Sequence, residues 1–268
     1  MNNIYHCFPG GKHKALTFSY DDGRIFDKRL IEIFNKNGMM GTFNLNAGLM
    51  ENNTYGEHVK PCEVKTVYEG HEVASHTYTH PTIARCPASG VVQQVLEDRR
   101  VLEELTGKPV EGLAYPNGSY SKEIMDLLPH TGIRYARTVT STLAFGMPQD
   151  FLAWDPTAHH KRDIATLGDA FKGLFKKQYL YLMYVWGHSY EFDNDGNWQI
   201  IEDFCKQMTG QDDIWYCTNI EIVKDEDAFR RLVFTSDLKH VYNPSFNSVW
   251  LSVNNEIVEV KGGQYKDL

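Results

Sequence analysis

Strand-like and helix-like segments alternate along most of this chain, and that alternation restricts its fold more than any other feature. Residues 15–20 (A-L-T-F-S-Y) read as a strand. The stretch R-I-F-D-K-R-L-I-E-I-F-N-K-N-G that follows carries Ile25, Phe26, Leu30, Ile33 and Phe34 at helical spacing, with a C-cap signal at Gly38. M-G-T-F-N-L, G-H-E-V-A-S-H, E-G-L-A-Y-P, I-R-Y-A-R-T-V, F-L-A-W, Y-L-Y-L-M-Y-V and I-W-Y-C read as further strands. Between them fall a short helix, a long amphipathic helix through Val91, Val92, Val95, Leu96, Leu102 and Leu105, and helices in S-K-E-I-M-D-L-L-P, over 163–176 and near 198–208. Alternation at this spacing implies parallel strands joined by crossover helices. Roughly seven such units suit a closed or nearly closed α/β barrel of (β/α)7 type better than a short open sheet. From about Leu232 the character changes: two hairpin-like stretches with Asn-Asn and Gly-Gly turn signals predict a C-terminal β-hairpin appendage. The expected division is therefore a barrel over 1–230 with a β extension, 231–268, packed on it.

Bulk properties remove several classes of function. The formal net charge of -8, with no basic run, argues against nucleic acid or an anionic membrane surface as partner. No apolar stretch reaches membrane-spanning length, and the N-terminal residues lack the charged and apolar regions of a secretory signal. The expected location is the cytoplasm. Five scattered cysteines without a C-x-x-C pair suggest neither a disulfide framework nor a zinc knuckle.

Four stretches, each following an inferred strand, carry the chemistry. T-F-S-Y-D-D-G sets Asp21 and Asp22 side by side before a glycine. A polar turn explains such a tripeptide; so does a carboxylate pair presented at a strand's C-terminal end, where α/β barrels place their chemistry. S-H-T-Y-T-H-P places His76 and His80 four apart, which a single helical turn would bring to one side. Two imidazoles and a distant carboxylate make a facial metal-binding set with open positions. Zinc leads, with cobalt, nickel or iron also compatible, one ion per chain. One aspartate would hold the cation, removing the repulsion between the pair, and the other would take a proton from water. A-Y-P-N-G-S-Y offers the backbone N–H groups of Asn117 and Gly118 to an oxyanion. W-G-H-S puts His188 just beyond a late strand, as a general-acid candidate between Trp186 and Tyr190.

In order and rough spacing these four pieces resemble the polysaccharide deacetylase family, the NodB-like enzymes of carbohydrate esterase family 4, over about residues 14–220. The resemblance implies a distorted (β/α) barrel and metal-dependent hydrolysis of an N-acetyl group on an amino sugar or related compound. It also implies roles: Asp21 as catalytic base, Asp22, His76 and His80 as metal ligands, His188 as acid, and the Asn117 backbone as oxyanion donor. Tyr115, Trp154, Arg137 and Trp186 are the expected substrate-binding residues. Where the family often carries a third-motif arginine that orients the base, this chain has Ala114; Arg137, from the next strand, is the candidate replacement. F-L-A-W-D-P-T-A-H-H matches the fourth motif poorly, and His159 and His160 read first as structural. The alternatives are allantoinase-like hydrolysis of a cyclic amide on the same fold, a non-haem iron oxygenase, which the βα alternation disfavours, and a non-catalytic carbohydrate-binding relative. The last would require neither Asp21 nor His188.

Overall fold

The computed structural model describes residues 2–51 and 56–268. Its centre is a curled parallel sheet built from β2 (Lys14–Asp21), β3 (Thr42–Leu45), β4 (Glu72–Ser75), β5 (Gly112–Ala114), β6 (Tyr135–Arg137), β7 (Ala158–His159), β8 (Tyr181–Gly187) and β9 (Ile214–Tyr216). The order is β6-β5-β4-β3-β2-β8-β7, and β9 pairs with the first residues of β2, below the stretch that pairs with β3. The gap between β6 and β7 narrows at Trp154, which bridges Arg137 in parallel and exchanges backbone hydrogen bonds with Ala136 and Thr138. The result is a distorted (β/α)7-type barrel. The strand expected at F-L-A-W lies elsewhere. Phe151–Ala153 forms a 3-10 turn started by the Asp150 side chain, and the strand forms at Ala158–His159.

Strand β2 explains why the sheet curls around a polar centre. All eight of its residues are buried, and their period-two alternation separates two environments. Leu16, Phe18 and Tyr20 join the large apolar core with Leu30, Ile31 and Phe34 of helix α1 (Asp27–Lys36). Thr17 and Ser19 face inward onto polar partners, Thr17 Oγ1 donating to Asn219 Oδ1 at 2.9 Å and Ser19 Oγ accepting from Asn44 Nδ2 at 2.8 Å. The crossover helices are α2 (Val64–Val67), α3 (Ala88–Thr106), α4 (Lys122–Leu127), α5 (Ile164–Lys172), α6 (Ser189–Asn194) and α7 (Gln199–Met208). The final helix, α8 (Asn219–Arg230), is absent from the strand–helix reading. A capping box between Thr218 and Glu221 starts it.

Beyond the barrel, β12 (Val249–Val253) and β13 (Glu256–Val260) form a hairpin through Asn254 and Asn255, both left-handed as a tight primed turn requires. The N-terminal strand β1 (Ile4–Cys7) pairs antiparallel with β12, so the first residues of the chain complete this sheet. A second small sheet joins β10 (Val233–Phe234), β11 (His240–Tyr242) and β14 (Tyr265–Asp267). Val241, Val249, Leu251, Val253 and Val260 pack with Ala228 of α8 as a core of their own. Among the described residues, no helix is long and apolar enough to cross a membrane.

Candidate active site

The candidate chemistry gathers at the C-terminal ends of the parallel strands, where β2, β4, β5, β6 and β8 deliver Asp21, His76, Asn117, Arg137 and His188. Neighbouring residues of a strand point to opposite faces, so Asp21 and Asp22 should diverge. They do not, because Asp22 adopts a left-handed conformation (φ 77°) that ends the strand and turns its carboxylate back. Asp22 Oδ1 lies 3.7 Å from His76 Nε2, and Asp21 Oδ2 lies 3.9 Å from the same nitrogen.

His80 completes the set, its Nε2 3.8 Å from Asp22 Oδ1 and its ring centroid 4.7 Å from that of His76. The helical turn expected between the two histidines does not form. Thr77 and His80 both have positive φ (65° and 56°), and an irregular turn makes the juxtaposition. Asn117 (φ 57°) is left-handed as well. Half of the eight described non-glycine residues with positive φ thus belong to this one site, and for a β-branched threonine the conformation is a true outlier.

The donor set fits a divalent transition metal. His76 Nδ1 lies 2.8 Å from the Ala114 carbonyl oxygen, which can only accept, so Nδ1 carries the proton and the Nε2 lone pair faces Asp22. Burial holds the His76 pKa below the ordinary histidine value despite the nearby Asp21 and Asp22 charges, which keeps the ring neutral as a ligand must be. His80 and Asp22 are partly exposed, so the site opens on their side.

Asp21 is held differently. Arg137, fully buried, donates from a guanidinium N–H to Asp21 Oδ2, and Asn44 Nδ2 donates to Oδ1 at 2.9 Å. Burial would raise the Asp21 pKa, but the charges of Arg137, His76 and His188 outweigh it and hold the carboxyl below its usual range. The guanidinium also lies over the Trp186 ring at 4.3 Å. This clamp on Asp21 comes from β6, one strand over from Ala114.

His188 presents Nε2 4.0 Å from Asp21 Oδ2 and directs Nδ1 to Glu191 Oε2 at 3.1 Å. Burial alone would lower its pKa; the Glu191 hydrogen bond and the Asp21 and Asp22 charges reverse the sign and raise it. Glu191, absent from the sequence reading, is a hub: Oε2 also lies 3.2 Å from His159 Nε2 and 3.4 Å from His160 Nε2, while Lys161 Nζ holds Oε1 at 3.0 Å. The only sequence signal for it is its position as third residue after His188, a capping-box spacing. His159, His160 and Glu191 also satisfy a metal-ligand spacing. The hydrogen bonding tells against a metal there. The Lys161 backbone N–H donates to His159 Nδ1 at 3.2 Å, which leaves the proton on Nε2, directed at Glu191.

Three expectations are corrected. Trp154 and Tyr115 are each only 1% exposed: Trp154 packs on Tyr135, Phe151 and Tyr184, and the Tyr115 hydroxyl donates to the Leu152 carbonyl, so both are core residues rather than a substrate surface. The Gly118 N–H is committed to the Tyr115 carbonyl at 2.9 Å, which leaves Asn117 as the oxyanion-donor candidate in that turn.

Fold and site together define an α/β barrel protein in which Asp22, His76 and His80 could hold a cation beside a second, clamped carboxylate. The sequence profile of the polysaccharide deacetylase family matches residues 9–136, and over this segment the chain is similar to that family. A chitooligosaccharide deacetylase of Sinorhizobium fredii is 25% identical over 125 residues, 46% of this chain and 55% of the relative. The aligned segments span only 27–55% of the lengths of the curated relatives. Among solved structures, a proposed polysaccharide deacetylase from Mycobacterium smegmatis superposes with a TM-score of 0.61 at 15% identity, covering 83% of this chain and 93% of that one. A carbohydrate esterase family 4 pseudoenzyme from Bacillus anthracis superposes at 0.51 and 18% identity, over 82% of this chain and 68% of the other. At these identities both similarities speak to the fold.

Proposed function

We propose that the protein is a metal-dependent hydrolase that removes an N-acetyl group from an amino sugar or a related N-acetylated compound. The observation that carries the reading is the asymmetry of the aspartate pair: Asp22 faces two histidines at ligand spacing, while Asp21 is clamped by Arg137 and Asn44 beside them. Asp22, His76 and His80 would hold the ion, which when bound polarises an acyl carbonyl and acidifies water. Asp21, kept ionised by its clamp, accepts the proton of the attacking water. The Asn117 N–H stabilises charge developing on the carbonyl oxygen. His188, its Nδ1–H given to Glu191, protonates the departing nitrogen from Nε2, and without that proton an amine leaves poorly.

The test is acetate release from N-acetylated chitooligosaccharides by zinc- or cobalt-loaded protein, with Asp21→Asn alongside. The expected result is turnover by the wild type and a loss of about 10²–10⁴ in the variant, the usual share of a positioned base, with metal content unchanged. Full metal loading without acetate release from this panel would remove the deacetylase assignment. Loss of metal from Asp21→Asn would exchange the roles of the two aspartates.

A further inference from the structure

The C-terminal end of β3 lies between the two halves of the site and is bonded to both. The Asn44 carbonyl accepts the Asp22 N–H at 3.0 Å, and the Leu45 carbonyl accepts the His76 N–H at 2.8 Å. Asn44 and Asn46, two apart, bring their side chains to the same interior: Asn44 holds Asp21 on one side, and Asn46 reaches the His76–His80 loop on the other. Asn46 is 1% exposed, and its Nδ2 donates to two successive carbonyl oxygens, those of His76 and Thr77, the latter at 2.7 Å. These are the peptide groups around the left-handed Thr77. Within the first of these peptides the Thr77 N–H donates to Ser75 Oγ at 3.1 Å, and Ser75 donates in turn to Asp98. A β-branched residue holds such a conformation only where its surroundings over-determine it.

We infer that Asn46 is a positioning residue for the metal-ligand loop, its two amide hydrogens fixing the strained turn that brings His80 beside His76. The inference rests on the proposed Asp22–His76–His80 site. Both carbonyls can only accept, so the chemistry required of residue 46 is that of a double donor. Glutamine would carry the same group one methylene too far, and an ionised aspartate of the same size would face two carbonyl oxygens with no hydrogen to offer. Alanine leaves the two oxygens buried without those donors.

The experiment is cobalt(II) titration of metal-free wild type, Asn46→Asp, Asn46→Ala and His76→Ala, followed by d–d absorption and by calorimetry, with far-UV circular dichroism as a check on folding. Removing an outer-shell partner of a metal ligand costs about 10–100-fold in affinity, and that loss is expected for both Asn46 variants, with an altered d–d spectrum and unchanged secondary structure. The size-matched Asn46→Asp keeps the test decisive if the alanine variant folds poorly. Cobalt affinity within twofold of wild type in Asn46→Asp would overturn the inference. Unchanged binding in His76→Ala would instead overturn the metal-site reading on which it rests.

Discussion

Arg137 shows how much one side chain has to do at this site. It is fully buried, its guanidinium reaches Asp21 across 116 residues of sequence, and it packs over Trp186. Removing it would strand a buried carboxylate, a change that typically costs about 3–5 kcal/mol. Arg137→Ala is therefore expected to lower the melting temperature sharply. Arg137→Lys keeps the charge and loses the planar fork. It should retain metal while turnover falls, because a single ammonium point cannot fix the orientation of Asp21. Metal content by elemental analysis, set against kcat, checks this, and unchanged kcat in Arg137→Lys would remove the orienting role.

At the scale of elements, β8 and the turn after it depend on the absence of a side chain at Gly187. A Cβ there would stand 2.1 Å from His160 Nδ1. The imidazole has little room to yield, since it is stacked between Tyr20, 5.7 Å away by ring centroids, and Phe192, 4.1 Å away. Gly187→Ala is expected to cost about 1–3 kcal/mol as overpacking, and to impair turnover because the next residue is His188. Denaturant unfolding with a matched activity assay tests both. A variant as stable and active as wild type would show that the His160 sandwich moves. The same packing drives the His160 pKa down to about 3, chiefly by burial, so this ring is neutral and structural at physiological pH.

For the whole molecule, the barrel is tied together by polar groups that pay a desolvation penalty. Asp27 is fully buried at the start of α1, accepting from Tyr68 Oη after α2 at 2.8 Å and from Ser189 of α6. Burial, only partly offset by those hydrogen bonds, pushes its pKa up from 3.8 to about 7. Between those values the folded state binds more protons than the unfolded state, so this group's contribution to stability declines as pH rises. Neutral buried histidines such as His71, its pKa lowered to about 4, act in the opposite sense. The total profile therefore conceals the effect, and a paired comparison isolates it. The stability of wild type relative to Asp27→Asn should be greatest near pH 4 and shrink through about pH 7. A difference independent of pH in urea melts would show that Asp27 ionises normally.

Much of this protein is legible from its sequence because the relevant information is local. Hydrophobic periodicity within single segments marks the strands and helices of the barrel, and the D-D-G, H-x-x-x-H and G-H-S pieces each fall just past a strand, so parallel topology alone brings them to one face. The Asn-Asn turn of the β12–β13 hairpin is equally local. What only tertiary structure decided depends on distance and direction between segments far apart in the chain. Arg137 reaches Asp21 because β6 and β2 lie across a curled barrel, and no spacing in the sequence encodes that curvature. The signs of φ at Asp22 and Thr77, which turn adjacent carboxylates to one side and join two histidines without a helix, are maintained by hydrogen bonds from other strands. Trp154 and Tyr115 are amphipathic side chains suited to a pocket wall or a core, and only the packing of Tyr135, Phe151, Tyr184 and Leu152 around them assigns them to the core. Glu191, Asn44 and Asn46 are ordinary polar residues in the sequence; burial beside charges and strained peptides is what makes them part of the site.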